Sequence, residues 1–276
     1  MMNTPQISVI IPLFNKKAII KHTIQSVLSQ SFHDFELVIV NDGSTDGSAE
    51  IVKGILDDRI VLVEQENGGP GKARNAGAKH SKGEWILFLD GDDELAEGAL
   101  EHLWNLTKKY PEANIIDGSF ILRSEKKERP VIYSDRVVKK NYKDFFYKKT
   151  LPSTGHSLFS SKLIKEYPYN TNIRRYEDVE LIMRLLKDAK IVTTSKPIFY
   201  VNTSFSNASK ARPSISEDFL GHMFFSGKSF WEYMSLYQFY LGERGHYPEE
   251  VKKLYPNLHR RYDLLLLYKL LLLFKR

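Results

Sequence analysis

Apolar runs with the length and composition of β-strands alternate with helix-like stretches through the first 122 residues of the chain. The stretches between the runs have helical length, and most carry apolar residues at helical spacing. This alternation predicts an α/β fold in which a parallel-rich sheet has helices on both faces. In such a sheet, ligands bind beyond the carboxyl ends of the strands. The runs are ISVII (7–11), ELVIV (36–40), IVLVE (60–64), WILFL (85–89) and NIIDGSFI (114–121).

Small, acidic or amide residues follow four consecutive runs, and the densest group is DGDDEL at residues 90–95. Asp90, Asp92 and Asp93 repel one another at neutral pH, and a divalent cation or a cationic partner is the usual reason for such a cluster. The alternative is a turn, because Asp and Gly are common turn residues and Asp is a good helix N-cap. The cluster by itself leaves both interpretations open.

The second half of the chain has a different organisation. From Glu217 it has helical character to its end, rich in aromatic residues and then in leucine. We therefore expect one domain over residues 1–216 and a helical region over residues 217–276. The part before Glu217 predicts a charged surface loop (123–130), a helix (174–189), one or two strands (190–202) and a polar loop (203–216).

Composition excludes several classes of function. The chain has no cysteine, which excludes disulfides, thiolate metal sites and thiol catalysis. Its net charge of +6 equals that of residues 251–276, which hold four Lys, three Arg and one Asp. A basic tail on a body of zero net charge predicts contact with an anionic surface and argues against a nucleic-acid groove.

The N-terminal residues predict a cytoplasmic protein. MMNTPQ places no basic segment ahead of a long apolar stretch, and Pro12 interrupts ISVII, so neither a secretory signal nor a transmembrane start is expected. Two nucleotide-binding motifs also fail. GGPGKARNAG follows the third strand run, whereas the dinucleotide fingerprint follows the first, and Ala73 stands where a P-loop requires Ser or Thr.

Four blocks of the sequence resemble glycosyltransferase family 2, whose members have the GT-A fold. The resemblance covers residues 6–216, and the length of the third block makes it specific. It implies a central mixed sheet flanked by helices, with a C-terminal helical appendage. It also implies inverting transfer of a sugar from a nucleotide diphosphate donor, usually a UDP-sugar, to an acceptor hydroxyl with Mn²⁺ or Mg²⁺. The blocks are ISVIIPLFNK, VNDGSTDGS, NGGPGKARNAGAKHSKGEWILFLDGDDEL and RRYEDVEL.

The resemblance assigns the nucleotide-binding residues. Pro12 and Phe14 match the block near the base, where the Phe14 ring is expected to stack on uracil, although it could instead belong to the core. Asp42 matches an acid that accepts a hydrogen bond from the base, or else serves a turn. Arg74 matches an arginine that faces the base or the pyrophosphate, the alternative being a surface charge. Asp90 matches the first acid of a D-x-D motif and is expected near the ribose.

The same resemblance makes Asp92, the last acid of D-x-D, the metal ligand that lies beside the donor phosphates. Asp93 either joins it as a ligand or only caps the following helix. On the acceptor side, Asp178 matches the general base and Glu177 is expected to hold the acceptor. Acids in a first helical turn are also favoured by the helix dipole without any chemistry.

Three further positions match the family only loosely. Lys210, Arg212 and Ser214 lie where many relatives have a loop that closes over the diphosphate, and Arg212 is the predicted phosphate contact, with a solvated loop cation as the alternative. His156 falls in the acceptor-side block and is a further candidate.

The sequence therefore predicts a metal-dependent inverting glycosyltransferase that acts in cell-surface polysaccharide synthesis on a glycan or lipid-linked acceptor. A sugar nucleotidyltransferase would need a Gly-rich basic loop after the first strand, and PLFNKK is not one. A non-catalytic glycan-binding or scaffold protein on the same fold remains the alternative.

The C-terminal segment, residues 259–276, predicts a peripheral contact. Its apolar run of 11 residues contains Lys269 and is too short to span a bilayer, which takes about 20 residues. We expect a helix that lies in the interface of an anionic membrane, on the inner face of the cell membrane. The alternative is a helix buried against the catalytic domain or a second subunit.

Overall fold

The structure is a computed structural model that describes residues 4–204, 213–259 and 261–273. Within these residues ten strands form one mixed sheet. The strands are β1 (Ile7–Leu13), β2 (Phe35–Asp42), β3 (Ile60–Gln65), β4 (Trp85–Phe88), β5 (Glu94–Leu95), β6 (Ile115–Arg123), β7 (Glu128–Val131), β8 (Arg136–Val137), β9 (Ser157–Ser160) and β10 (Ile191–Asn202).

Helices connect most of the strands and make up the C-terminal region. Short 3₁₀ turns at Ile215–Glu217, Phe219–His222 and Arg244–His246 link some of them. The α-helices are α1 (Ile20–Leu28), α2 (Ser48–Lys53), α3 (Pro70–His80), α4 (Ala99–Lys109), α5 (Asn141–Phe146), α6 (Ser161–Glu166), α7 (Glu177–Leu185), α8 (Phe230–Glu243), α9 (Pro248–Leu254), α10 (Pro256–His259) and α11 (Tyr262–Leu273).

The sheet has the order β3-β2-β1-β4-β9-β6-β10-β5, with β7 beside β6 and β8 beside β10. Strands β3, β2, β1 and β4 are parallel, and β6 is parallel to β10, while β9 runs antiparallel between the two groups. The predicted parallel-rich sheet and its five predicted strands are confirmed. The carboxyl ends of β1, β2 and β4 meet at one edge of the sheet, as expected for parallel strands.

Both faces of the sheet are covered by helices. In β2, Leu37 and Ile39 belong to an apolar core shared with α1 and α4, whereas Val38 and Val40 belong to a second core shared with α3 and α7. This alternation follows from the period of two along a strand. Since all of these side chains are fully buried, β2 reads as one continuous apolar run.

Two predicted boundaries differ from the structure. The segment predicted as a charged loop at residues 123–130 is partly strand, because β7 pairs with the free edge of β6. The helix predicted over residues 174–189 begins only at Glu177, since Tyr176 has a left-handed backbone with φ of 61°. The segment predicted as one or two strands over residues 190–202 contains the single strand β10 from Ile191 onward, whose pairing with β6 is irregular around Pro197.

The C-terminal helices pack against the same core as α3 and α7. Tyr237 and Tyr240 of α8 and Val251 of α9 are buried there. The described part of the chain contains no helix with the length and apolar character needed to cross a bilayer.

Helix α11 has two different faces. One face packs against the core through Leu264, Leu267, Tyr268 and Leu271. The opposite face leaves leucines in solvent, with exposed fractions of 61% for Leu266, 44% for Leu270 and 77% for Leu273. The alternative of a helix packed against the catalytic domain therefore describes the first face only.

Candidate active site

Arg74 connects two groups of acids at the carboxyl edge of the sheet. It lies on α3 with its side chain only 6% exposed. Nη2 donates to Asp90 Oδ1 at 2.8 Å and Nη1 donates to Glu177 Oε1 at 2.7 Å. Burial acts to lower the pKa of Arg74, but the charges of Asp90 and Glu177 raise it well above its ordinary value. The guanidinium is therefore a fixed positive charge between Asp90 and α7, and the alternative of a surface charge is wrong.

Asp92 is paired with a lysine that the sequence motifs did not single out. Lys16, in the loop between β1 and α1, places Nζ 2.5 Å from Asp92 Oδ2. Burial raises the pKa of the Asp92 carboxyl, and the hydrogen bond and charge of Lys16 oppose that rise. An ammonium group thus occupies the position at Asp92 where the family resemblance expects a metal ion.

Asp93 connects the acidic turn to β10. It is buried, and its Oδ1 accepts a hydrogen bond from the backbone amide of Asn202 at 2.8 Å. Burial, with the charge of Asp90 adding to it, raises the pKa of Asp93 well above its ordinary value. The alternative that Asp93 caps the following helix is wrong, because the residue that precedes α4 is Gly98.

The donor set at this edge fits a metal ion that is held mainly by its substrate. In residues 4–204, 213–259 and 261–273, no group of three or more His, Asp or Glu side chains is arranged to hold a metal. Mg²⁺ is commonly bound by one or two carboxylates together with substrate phosphates, so a protein cage is not required. The Lys16 ammonium at Asp92 shows that this carboxylate already accepts a cation. Metal dependence itself stays a prediction.

Asp42, at the end of β2, organises the loop that leads into α3. Its carboxylate accepts hydrogen bonds from Gln65 Nε2 at 2.7 Å and from the amides of Gly68 and Gly69 at 2.8 and 2.9 Å. Gly69 has φ of 86°, which side-chain-bearing residues rarely adopt. Asp42 therefore holds the start of α3, and hence Arg74, in place.

The two residues expected near the base lie at the end of β1. Pro12 is half-buried within the strand. The Phe14 side chain just beyond it is 45% exposed, so the alternative that Phe14 belongs to the core is wrong. An exposed aromatic face at the carboxyl edge of the sheet is available for stacking.

Glu177 and Asp178 begin α7 and differ in their surroundings. Glu177 is buried against Arg74, and burial raises its pKa to about 7 while Arg74 opposes the rise. Asp178 is half-buried, and its Oδ1 accepts from the amide of Val179 at 2.8 Å. Burial also raises the pKa of Asp178, against the charge of Arg74. Asp178 makes no ion pair within the described residues, which leaves its carboxylate available to a ligand.

Some sequence candidates are not brought into this group. Lys210 and Arg212 lie outside the described residues. The hydroxyl of Ser214 contacts Ser216 and Glu217 at 2.8 and 3.1 Å.

His156 is a buried residue whose ring stacks on Phe120 with 4.3 Å between centroids. Its Nδ1 lies 3.1 Å from the carboxylate of Asp117, which is fully buried and also accepts from Thr150 and Ser157. This packing is that of a satisfied core histidine.

The motifs missed two residues of this group. Lys16 lies in the first block but has no acidic neighbour in sequence that would indicate its partner. Tyr169 lies beneath Arg74, with the guanidinium carbon 5.5 Å from its ring centroid. Its hydroxyl is buried and forms no hydrogen bond within the described part of the chain. No sequence pattern indicates such a buried tyrosine.

Comparison with known proteins decides the family. The model of glycosyl transferase family 2 matches residues 8–168. The chain belongs to glycosyltransferase family 2. The predicted family is therefore confirmed. The predicted enzyme class, a transferase, is the enzyme class of this family.

Two curated relatives of this family 2 chain are bacterial proteins. Glycosyltransferase GlyA of Streptococcus pneumoniae is 30% identical over 213 residues, which are 74% of this chain and 30% of the relative. A Campylobacter jejuni relative, GalNAc(5)-diNAcBac-PP-undecaprenol β-1,3-glucosyltransferase, is 38% identical over 103 residues, which are 36% of this chain and 33% of the relative. The chain spans less than half the length of the curated relatives it matches.

Solved structures confirm the predicted GT-A fold. Staphylococcus aureus TarS, residues 1–349 in complex with UDP-GlcNAc, superposes with a TM-score of 0.74 at 22% identity, covering 90% of this chain and 75% of that fragment. The same fragment in complex with UDP has a TM-score of 0.66 at 21% identity, covering 90% and 74%.

Proposed function

We propose that this family 2 chain is an inverting, metal-assisted glycosyltransferase that moves a sugar from a UDP-sugar to a hydroxyl of a glycan or lipid-linked acceptor in cell-surface polysaccharide synthesis. The observation that carries the proposal is the position of Arg74. One guanidinium contacts Asp90, from the motif assigned to the donor, and Glu177, beside the proposed base. A donor diphosphate and an acceptor hydroxyl bound at these two groups would meet at a single edge of the sheet.

Asp178 is the proposed general base. It takes the proton of the acceptor hydroxyl as that oxygen bonds to the anomeric carbon of the donor sugar. Attack comes from the face opposite the diphosphate, so the bond from the anomeric carbon to the phosphate oxygen breaks and UDP leaves with the electron pair. Because burial raises the pKa of Asp178, the carboxylate is a stronger base than a solvated aspartate.

Glu177 and Arg74 serve the base as a buried pair. The Arg74 charge opposes protonation of both carboxyls, which helps to keep Asp178 ionised. Glu177 has one oxygen on Arg74 and is the residue next to Asp178, so we propose that its other oxygen receives an acceptor hydroxyl.

Donor binding is assigned to residues around the end of β1 and the acidic turn. Phe14 offers its exposed ring to uracil, beside Pro12. Asp42 Oδ2 accepts a hydrogen bond from the amide of Gly69, and a carboxylate oxygen can accept a second hydrogen bond, here from the base. Asp90 is proposed to contact the ribose, and Arg212 the diphosphate. TarS, the solved relative in fold, has been captured with UDP-GlcNAc and with UDP, which supports a uridine donor.

Asp92 is the residue that would hold Mn²⁺ or Mg²⁺. When bound, such an ion neutralises charge on the departing diphosphate. The Lys16 ammonium that pairs with Asp92 would have to give way to such an ion.

The acceptor is proposed to be presented at a membrane surface. The C. jejuni relative is named for an undecaprenol-linked substrate. In this chain, one face of α11 exposes leucines to solvent, and the opposite face packs against a basic segment, residues 126–149, which holds nine Lys and Arg and three acidic residues. Helix α5 of this segment contacts α11, with 6.0 Å between the ring centroids of Phe146 and Tyr268. An exposed apolar helix face on a part of the chain that also holds a basic segment favours peripheral binding to the cytoplasmic face of an anionic membrane.

The test is a transfer assay with a panel of UDP-sugars and lipid-linked or glycan acceptors, with and without Mn²⁺. We expect Asp178→Asn to retain UDP binding while transfer falls by about 10² or more, because the variant keeps the shape but not the base. Glu112→Gln, a substitution of a surface carboxylate paired with Lys190, is the matched control and should behave as wild type.

The anomeric configuration of the product, read from the NMR coupling of its anomeric proton, tests inversion. Retention of configuration would contradict the proposed mechanism. A wild-type protein that binds glycans but neither transfers nor hydrolyses any donor would favour a non-catalytic protein on this fold.

A further inference from the structure

The residue that precedes the two acids of α7 has an unusual backbone. Tyr176 has φ of 61°, one of three positive-φ residues other than glycine in the described part of the chain. Such a conformation is disfavoured for a residue with a large side chain and persists where surrounding contacts hold it. Since the carbonyl of Tyr176 accepts the amide of Glu180, its backbone sets how α7 begins. The direction of the Asp178 side chain therefore depends on Tyr176.

The side chain of Tyr176 is held by α8. Its hydroxyl donates to Glu243 Oε1 at 2.9 Å and accepts from Arg175 Nη2 at 2.8 Å. Its ring packs edge-on against Phe239, with 4.9 Å between centroids. The guanidinium of Arg175 lies over the same ring, 4.3 Å from its centroid. The Tyr176 side chain is thus fixed at its hydroxyl, its edge and its face.

Arg175 is itself held by the C-terminal region. It donates to Asp218, which is fully buried, at 2.8 Å and to Glu243 at 3.1 Å. The backbone is held as well, because the amide of Arg175 donates to the carbonyl of Glu217 and its carbonyl accepts from Phe219. We name this group of Arg175, Tyr176, Asp218 and Glu243 the clamp.

The clamp is more polar than helix packing requires. Two acids that are separated by 25 positions in the C-terminal region converge on one arginine and one tyrosine hydroxyl. Charge-assisted hydrogen bonds of this kind fix geometry more tightly than apolar contacts do. They act on the residues that immediately precede Glu177 and Asp178.

We propose that Tyr176 and Glu243 are positioning residues for the catalytic base, so that the C-terminal helical region completes the active site. The inference rests on the proposed function for the role of Asp178. Neither residue touches the substrate in this proposal; both act by holding the first turn of α7. A helix start that is free to move would place the Asp178 carboxylate outside the reach of the acceptor proton.

The test uses two nearly isosteric variants of the full chain, Tyr176→Phe and Glu243→Gln. We expect kcat for transfer to fall by about 10- to 100-fold in each, because small misplacements of a catalytic group have effects of this size. The KM for the UDP-sugar and the affinity for UDP should stay within about twofold of wild type, since donor binding does not need the base. Glu180→Gln, which removes an acid of α7 paired with Arg184, is the control and should leave kcat unchanged.

Hydrogen exchange of the peptide covering residues 174–181 tests the clamp without an activity readout. We expect about tenfold faster exchange in Tyr176→Phe and Glu243→Gln and no change in Glu180→Gln, since only the first two lose clamp hydrogen bonds. The double variant Tyr176→Phe/Glu243→Gln should have a kcat no lower than that of the single variant with the lower kcat, as expected for members of one network.

The outcomes separate the two proposals. Unchanged kcat in both variants of an active enzyme overturns the inference, and so does a loss of kcat that is matched by loss of UDP binding and thermal stability. If the wild-type protein transfers no sugar but the clamp variants still exchange faster, the proposed function is overturned and the clamp stands as a structural feature.

Discussion

Replacing Arg74 by Met removes the charge that lies between Asp90 and Glu177. The two acids are affected differently, because the Asp90 side chain is 40% exposed whereas that of Glu177 is 9% exposed. Water can solvate Asp90 when the guanidinium is absent. Glu177 would instead be left as a buried carboxyl without its partner, which is the costly part of the substitution.

The size of the effect follows from this burial. Breaking a buried ion pair by removing one partner costs about 3–5 kcal/mol of the free energy of unfolding. In a chain of this size that lowers the melting temperature by about 6–20 °C. The matched control is Arg184→Met, which removes a pair with Glu180 within α7, where the arginine side chain is 33% exposed and the glutamate side chain 14% exposed. Helical pairs of this spacing contribute about 0.3–0.5 kcal/mol, well below the cost expected at Arg74.

The loss should depend on pH. Burial raises the pKa of Glu177 from 4.5 to about 7, so the folded state binds this proton more tightly than the unfolded state. The contribution of Glu177 to stability is therefore present below pH 4.5 and is lost as the pH rises to about 7. Without Arg74 the pKa of Glu177 rises further. The deficit of Arg74→Met relative to wild type should then be larger at about pH 8 than at about pH 5.5.

Urea unfolding of the wild type, both Arg variants and the double variant Arg74→Met/Glu177→Gln measures these differences. The double variant should be more stable than Arg74→Met alone, because it leaves no buried charge unpaired. The reasoning is refuted if Arg74→Met is no less stable than Arg184→Met, or if adding Glu177→Gln lowers stability further at about pH 8.

Three other outcomes are expected. Asp92→Ala should lose the part of UDP affinity that depends on Mn²⁺, as measured by calorimetry with and without the metal. If the variant responds to a manganese titration as the wild type does, the assignment of Asp92 as the metal ligand is wrong. The rate of transfer should decline as the pH falls through the pKa of Asp178, which burial raises above 3.8, because the base must be ionised. A pH–rate profile with no acid limb above pH 3.8 argues against Asp178 as the base. Replacing Leu266, Leu270 and Leu273 together by Ser should abolish sedimentation with anionic liposomes. The unfolding temperature should stay within a few degrees of wild type, since these side chains are exposed. Unchanged sedimentation would exclude this face of α11 from the membrane contact.

The amino-acid sequence alone determined the type and order of the central elements. Alternation of apolar runs with helical stretches predicted β1 to β4 and β6 and the helices between the first of them, since side-chain periodicity is a local property. The positions of Phe14, Asp42 and Asp90 at strand ends followed as well, because the carboxyl ends of parallel strands share one edge. The division at residue 216 and the role of Arg212 stay predictions.

The structure decided which side chains meet. Arg74 and Glu177 are 103 residues apart, and a sequence pattern carries no information on such a pair until the helices are placed against the sheet. Asp93 was open between ligand and cap; α4 begins after Gly98, so Asp93 does not cap it, and β10 instead brings the amide of Asn202 to its carboxylate. Asp92 contacts Lys16 because the pairing of β1 with β4 brings the loop after β1, which holds Lys16, close to the turn after β4, which holds Asp92.

The start of α7 shows the physical reason most clearly. Helical spacing from residue 174 predicts a helix that includes Arg175 and Tyr176, because local propensity has no means to foresee a positive φ at a tyrosine. That backbone is stabilised by Glu243 and Asp218, which belong to a part of the chain that sequence patterns treated as a separate helical region. Periodicity specifies how each element forms, whereas the polar contacts that aim Asp178 exist only once distant elements have packed together.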